Sequence, residues 1–439
     1  MTVTHVDATD QVFSNLSSHQ GRPLDRPLTL ALAGAGARGT GYANLAAEGD
    51  TPVALVAVAE PRTARRDELA DRHGVPAGHR YTDWRLMAAA PRLADAVVIA
   101  VQDAQHVEAA EAFAARGYDI LLEKPMATDA EECARIAAAA EAAGVSVTVC
   151  HVMRYSPYSR KVKALVDQGR IGDIVSVQHL EPVGYWHFAH SFVRGNWRRE
   201  DLSSFALLTK SCHDIDWLGH IVGRPVEAVS SFGSLRHFRA ENAPQGAGER
   251  CVSCAVEPDC PYSARKLYQI GLREGGVKRY FTRIAAEEMT EESVEKAMAE
   301  GPYGRCVYRS DNDVVDHQVV NLQYEGGATA SFTLTAFTPQ ENRHTKIFGT
   351  RGQLTGDGRT IEIYDFTTDE RTVIDTDNGG SSGAEGHGGG DAGLVDAFVR
   401  AHHEGRPDLL LTGARESRDS HRVVFAAERA RVTGQVVRL

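Results

Sequence analysis

The 439-residue chain has no run of about 20 apolar residues, the length that spans a bilayer. It has no excess of basic charge either. Its 48 Lys and Arg stand against 59 Asp and Glu, a formal net charge of −11, so it lacks the basic face that nucleic acid or an anionic membrane requires. Cysteine is scarce, with seven residues, which argues against a disulfide framework and for a reducing compartment. Residues 1–27 are polar and show neither the charged start nor the apolar stretch of a secretory signal. They read as a tail on a cytoplasmic protein. The expected partner is a small molecule. With 42% hydrophobic residues the chain can bury large cores, and its length suits more than one domain.

Glycine is abundant, and its placement is informative. Gly34, Gly36 and Gly39 stand in G-x-G-x-x-G spacing directly after the apolar run 28–33 and before a helix-like stretch. Glu60 follows a second strand-like run, 21 positions beyond Gly39. This context is the fingerprint of a dinucleotide site. Gly34 permits a tight turn, Gly36 lets backbone N–H groups approach a pyrophosphate, and Gly39 lets the helix pack close to the sheet. Ala37 and Arg38 lie within the same loop. A carboxylate at Glu60 accepts the ribose hydroxyls of NAD and repels a 2′-phosphate. Arg62, Arg65 and Arg66 could instead neutralise that phosphate, so NAD is expected and NADP stays open.

Between 28 and 150, short β-rich runs (28–33, 53–59, 96–101, 119–122, 146–150) alternate with Ala-rich helices, which predicts a Rossmann-type doubly wound parallel sheet for 28–150. Residues 151–390 give helices followed by strand-like segments with hairpin turns. They predict an α+β domain with an open, mostly antiparallel sheet and a Cys-rich insertion at about 240–310. Residues 377–390 read as a Gly/Ser-rich loop, with His387 a weaker contact candidate, and 391–439 as helices packing back on the core. The fold class is α/β.

The segment Glu123-Lys124-Pro125 resembles the signature of the Gfo/Idh/MocA oxidoreductases, the relatives of glucose–fructose oxidoreductase and inositol dehydrogenase. The likeness extends to the glycine loop, Gln102 to His106, Arg154-Tyr155-Ser156-Pro157, Gly169-Arg170-Ile171-Gly172 and the helix holding His213 and Asp216. It implies a dinucleotide domain followed by an open-faced sheet that packs against another subunit, hence a homodimer or homotetramer. It also implies that Lys124 touches the nicotinamide ribose and the reacting hydroxyl, with Glu123, Gln102 and His106 beside the cofactor. Many members carry Asp four residues before the position of His213. Here that residue is Thr209.

Removing hydride from a carbinol carbon needs the hydroxyl proton to leave as well. Lys124 serves either as the base or, charged, by polarising the oxygen. His213 is the second candidate, and a helix would set Lys210, His213 and Asp216 along one face. Lys210 could take the polar role that the missing Asp leaves. His151, Arg154, Tyr155, Trp186, His187, His190, Arg194 and Trp197 combine aromatic faces with hydrogen-bond donors and, with Asp216, are the expected substrate contacts for a pyranose or cyclitol. Cys251, Cys254, Cys260 and Cys306 have a spacing that suggests four thiolates on a structural zinc. Cys133, Cys150 and Cys212 read as packed or site-lining thiols.

The leading expectation is an NAD(P)-dependent oxidoreductase acting on a sugar, sugar derivative or cyclitol hydroxyl. A redox glycosidase, which oxidises transiently, eliminates, hydrates and re-reduces, is the alternative. A non-catalytic NAD-binding sensor is a third.

Overall fold

The structure, a computed structural model, describes residues 23–376 and 387–439. Most of the expected tail and the stretch 377–386 of the expected loop lie outside the described residues. The first sheet has six parallel strands: β1 (Leu28–Ala33), β2 (Val53–Ala59), β3 (Arg80–Tyr81), β4 (Ala96–Ile99), β5 (Asp119–Leu122) and β6 (Val147–Val149). Their order is β3-β2-β1-β4-β5-β6. The order reverses between β1 and β4, so the crevice beyond their carboxyl ends is where such a sheet takes its ligand. β3, only two residues long, was not visible in the sequence.

Local chemistry sets the helices around this sheet. Helix Ala130–Ala143 starts where the Asp129 side chain accepts the Glu132 N–H, and stops at Gly144, whose φ is 65°. Its buried residues Cys133, Ile136, Ala137 and Ala140 recur at helical spacing and join a core with β4 and β5.

The second sheet has nine strands: β7 (Ile174–Pro182), β8 (Val226–Ser234), β9 (His317–Tyr324), β10 (Thr329–Thr335), β11 (His344–Gly349), β12 (Gly352–Gly356), β13 (Thr360–Asp365), β14 (Glu370–Asp375) and β15 (Val437–Arg438). The order is β14-β13-β12-β11-β7-β10-β9-β8-β15, antiparallel throughout except for the β7–β10 pair. Burial alternates along β9 to β12, as one covered face demands. Val320, Phe332, Ile347 and Leu354 point into a core shared with helices Pro157–Asp167, Ala206–Val222 and Ala414–Thr433.

The last two helices return to the first sheet. Helix Gly390–Glu404 buries Leu394, Val395 and Phe398 with Leu30, Tyr42 and Leu121. The charged insertion folds as helices Ala264–Arg273, Gly276–Ala285 and Glu291–Glu300, with a small core of its own around Leu267, Tyr268, Phe281 and Met298.

Arg154 joins these parts. Its guanidinium donates two bonds to Asp216, at 2.7 and 2.6 Å, and one to the Leu411 carbonyl at 2.8 Å. Tyr155 Oη accepts the Leu411 N–H at 2.7 Å. Burial opposes the Asp216 charge, yet Arg154 holds its carboxyl down to about 2. An unfolded aspartate titrates near ~3.9, so this stabilisation is present above that pH and is lost as pH falls toward about 2. Asp216→Asn is expected to destabilise the fold by about 3 kcal/mol, the cost of leaving a buried guanidinium without its partner. Denaturant unfolding near neutral pH checks this; a change under about 0.5 kcal/mol, the size of an ordinary surface substitution, would contradict it.

Candidate active site

The glycine loop and the Lys124 turn lie at the carboxyl ends of β1 and β5, which flank β4 in the first sheet. Gly34, after β1, has φ 94°, and a Cβ there would sit 2.4 Å from the Ala100 carbonyl oxygen. At Gly39 a Cβ would meet the Gly34 carbonyl oxygen at 2.0 Å. Gly36 is the opposite case: nothing lies within 4 Å of a Cβ placed on it. It precedes helix Ala37–Glu48, so free backbone N–H groups face open space at a helix N-terminus, where anions are favoured. Buried Glu60 accepts the Ala35 N–H at 3.0 Å and the Arg62 N–H at 3.1 Å. Arg66 donates to the Glu60 carbonyl at 3.1 Å.

Glu123 is buried at the end of β5. It accepts from Arg38 Nε at 2.6 Å, from Tyr42 Oη at 2.9 Å and from the Lys124 N–H. Arg38 turns its other nitrogens to Asp391, at 2.7 and 2.9 Å, and to Tyr42. Burial works against the charged form of Glu123, but the Arg38 and Lys124 charges outweigh it and its carboxyl lies below the usual range. The same balance, with Arg38 and His387 as partners, holds Asp391 well down.

Lys124 is half-buried, and its Nζ donates to the Thr209 carbonyl at 2.6 Å. Thr209 belongs to helix Ala206–Val222, one turn before His213. His213 Nε2 is 2.8 Å from Arg343 Nη2. A guanidinium can only donate, so Nε2 is the acceptor and a neutral His213 carries its proton on Nδ1. Nδ1 is buried without a partner among the described residues. Burial pushes His213 well below the usual histidine range; Asp214 opposes this, and Arg343 and Lys124 reinforce it. Arg343 also pairs with Asp214 at 2.5 Å and Glu181 at 2.7 Å. Lys210 Nζ lies 3.1 Å from the other Glu181 oxygen, and burial lowers its pKa despite that carboxylate. His387, bonded to Asp391 at 3.1 Å, brings its ring to 5.8 Å from that of His213. The arrangement offers a cation at Lys124 and an idle N–H donor at His213.

The comparisons with known proteins decide the family. The model described as oxidoreductase family, NAD-binding Rossmann fold, matches residues 28–151, and that described as oxidoreductase family, C-terminal alpha/beta domain, matches 163–439. The chain belongs to the Gfo/Idh/MocA oxidoreductase family. It is 26% identical over 339 residues to the YteT protein of Bacillus subtilis, covering 72% of this chain and 74% of that one. It is 33% identical to inositol 2-dehydrogenase 2 of Saccharopolyspora erythraea, over 31% of this chain and 38% of that relative. An oxidoreductase from Agrobacterium radiobacter, solved with NAD+, L-tartaric acid and magnesium, superposes with a TM-score of 0.67 at 16% identity, over 94% of this chain and 98% of that one. At that identity the likeness shows the fold alone.

Within this Gfo/Idh/MocA fold, the sequence-predicted residues separate into two groups. Lys124, Glu123, Arg38, Lys210, His213 and His387 come together. Gln102 is exposed before the turn Asp103–Gln105, whereas His106 is buried, with Nδ1 2.8 Å from the Pro125 carbonyl oxygen. His151 is fully buried at the end of β6, and neither ring nitrogen has a hydrogen-bond partner among the described residues. Arg154, Tyr155 and Asp216 spend their polar groups on the interdomain contacts above.

The stretch 185–194, which holds Trp186, His187, His190 and Arg194, is helical, with a π-helical turn over Ala189–Arg194. Trp186 packs on Phe281 of the insertion, with ring centroids 5.0 Å apart, and His190 bonds Tyr268 Oη at 2.8 Å. Arg194 donates to the carbonyls of Arg305 and Tyr262, and Trp197 to Asp103 at 3.1 Å. These side chains hold the insertion and the loop after β4. His187 Nδ1 has no hydrogen-bond partner among the described residues.

Cys251, Cys254, Cys260 and Cys306 line one cavity, but among the described residues no three His, Cys, Asp or Glu side chains are arranged to hold a metal. Glu181, Asp214, Arg343 and Asp391 were missed. A period of two along β7 would have put His179 and Glu181 on the covered face with Val177. Arg343, before β11, carries no local signal.

15N-histidine NMR should show His213 as a neutral imidazole protonated on Nδ1 at about pH 7. An imidazolium at that pH, or the Nε2–H tautomer, would contradict the assigned hydrogen bond.

Proposed function

We propose that the chain is an NAD-dependent oxidoreductase that takes hydride from a hydroxyl-bearing carbon of a sugar, sugar derivative or cyclitol. The observation that carries this is the placing of the Lys124 amine, anchored on Thr209, one helical turn from the unpaired Nδ1–H of His213 and next to the glycine loop. The open space at Gly36 fits a pyrophosphate, and Glu60 is placed for the adenosine ribose. The glycine loop, Ala37, Arg38, Glu60, Gln102, His106 and Glu123 would frame the cofactor. Bound NAD supplies the hydride acceptor.

His213 would hold the substrate oxygen by donating from Nδ1 while Lys124 takes or polarises its proton. Thr209, whose hydroxyl bonds back to the Phe205 carbonyl at 3.3 Å, supplies only its carbonyl. Arg343 therefore does for His213 what an aspartate would do by another route: it fixes the ring. Lys210, His187 and Arg343 are the remaining candidates to meet hydroxyl or acidic substituents. The Glu60 carboxylate favours NAD over NADP, since a 2′-phosphate would approach a buried negative charge. Subunits would associate across the exposed face of the second sheet, where Phe232 is 64% accessible.

Incubation with free sugars, cyclitols and nitrophenyl glycosides, with NADH absorbance and aglycone release recorded together, tests the reading. NADH in proportion to product is expected. Aglycone release without net NADH would replace it by the redox glycosidase, and tight NAD binding with no turnover would replace both by a sensor. Lys124→Met should lower kcat by about 10²–10⁴ and leave NAD affinity within about threefold (~0.6 kcal/mol); an unchanged kcat would remove Lys124 from the chemistry.

A further inference from the structure

We infer that Cys251, Cys254, Cys260 and Cys306 bind one structural zinc ion as thiolates. The four thiols come from two chain segments and line a single cavity beside Arg194 and Tyr308. Backbone pairing brings the segments together: Arg250 and Arg305 form an antiparallel bridge, and the Cys306 N–H donates to the Glu249 carbonyl at 2.9 Å. None of the four is in a disulfide. Two already accept backbone N–H groups, Cys254 Sγ from Gly248 at 3.3 Å and Cys251 Sγ from Ala264 at 3.4 Å.

Arg194 is the independent observation. The residue is 1% exposed, and its guanidinium donates to the carbonyls of Arg305 at 2.7 Å and Tyr262 at 2.8 Å, with Cys251 Sγ at 3.7 Å. No carboxylate among the described residues pairs with it. A buried cation without a counter-charge is costly. Neutral thiols would leave that cost in place, whereas Zn²⁺ with four thiolates carries a net charge of −2 and supplies the anion where Arg194 points. Binding releases the four thiol protons to solvent. Four sulfurs close a tetrahedron and leave no position for water, so the site is structural and not catalytic. The rearrangement required is that the Sγ atoms turn inward to about 2.3 Å from a common centre. The metal would secure the three-helix insertion, whose own core is too small to be stable alone. That insertion carries Phe281 and Tyr268 against Trp186 and His190.

Elemental analysis of the full-length protein, purified without chelator or a histidine tag from zinc-supplemented cells, should give about one zinc per chain. Replacement by Co²⁺ should give sulfur-to-metal charge-transfer bands and the strong visible bands of tetrahedral cobalt. Cys254→Ser with Cys260→Ser should abolish binding, and Cys133→Ala should retain it. Should the double variant fail to fold, the wild-type cobalt spectrum decides. Less than about a tenth of an equivalent of metal, with the four thiols reacting freely in the native protein or found as disulfides, would overturn the proposal. So would iron in place of zinc.

Discussion

The carboxylate of Glu123 must be buried and charged at once, and the geometry around it follows from that constraint. It ends β5, directly before Lys124, with solvent excluded. A lone carboxylate there would be protonated or would destabilise the fold by several kcal/mol. Arg38, Tyr42 and the Lys124 N–H satisfy it, and Arg38 is in turn neutralised by Asp391. One ionic chain thus links the glycine loop, the Lys124 turn and helix Gly390–Glu404. Removing any member strands another buried charge, so the three segments are fixed relative to one another.

The same logic repeats on the second sheet. Glu181 and Asp214 are buried carboxylates, and Arg343 and Lys210 are the cations that accompany them. What is left over is useful. Arg343 donates to His213 Nε2, which fixes the tautomer and leaves Nδ1–H idle, and Thr209 gives Lys124 a single carbonyl anchor. Two buried ionic networks meet here, where the Lys124 amine is held by the Thr209 carbonyl and His213 Nδ1 has no partner among the described residues, an arrangement suited to positioning a substrate hydroxyl.

The first sheet was legible in the sequence, apart from the two-residue β3, because its other strands are short apolar runs, and because Gly34, Gly36, Gly39 and Glu60 stand in the spacing of a dinucleotide fingerprint. The second sheet was legible in its alternation, but not the partners of its buried charges. Arg154, Trp186, His190 and Arg194 looked like substrate contacts because polar and aromatic residues crowd there. In the fold Arg154 bonds Asp216 and the Leu411 carbonyl, His190 bonds Tyr268, Arg194 bonds the Arg305 and Tyr262 carbonyls, and Trp186 packs on Phe281. Periodicity reports which face a residue occupies. It cannot report that Arg343, distant in sequence, returns to pair with Asp214.

The central claim is that hydride leaves a carbon of the substrate at the Lys124–His213 site. With the substrate from the panel that turns over fastest, deuterated at the reacting carbon, a single turnover should place deuterium on C4 of the enzyme-bound nicotinamide, transiently if it is later returned. Conversion of the labelled substrate with no deuterium ever found at C4 would contradict the account.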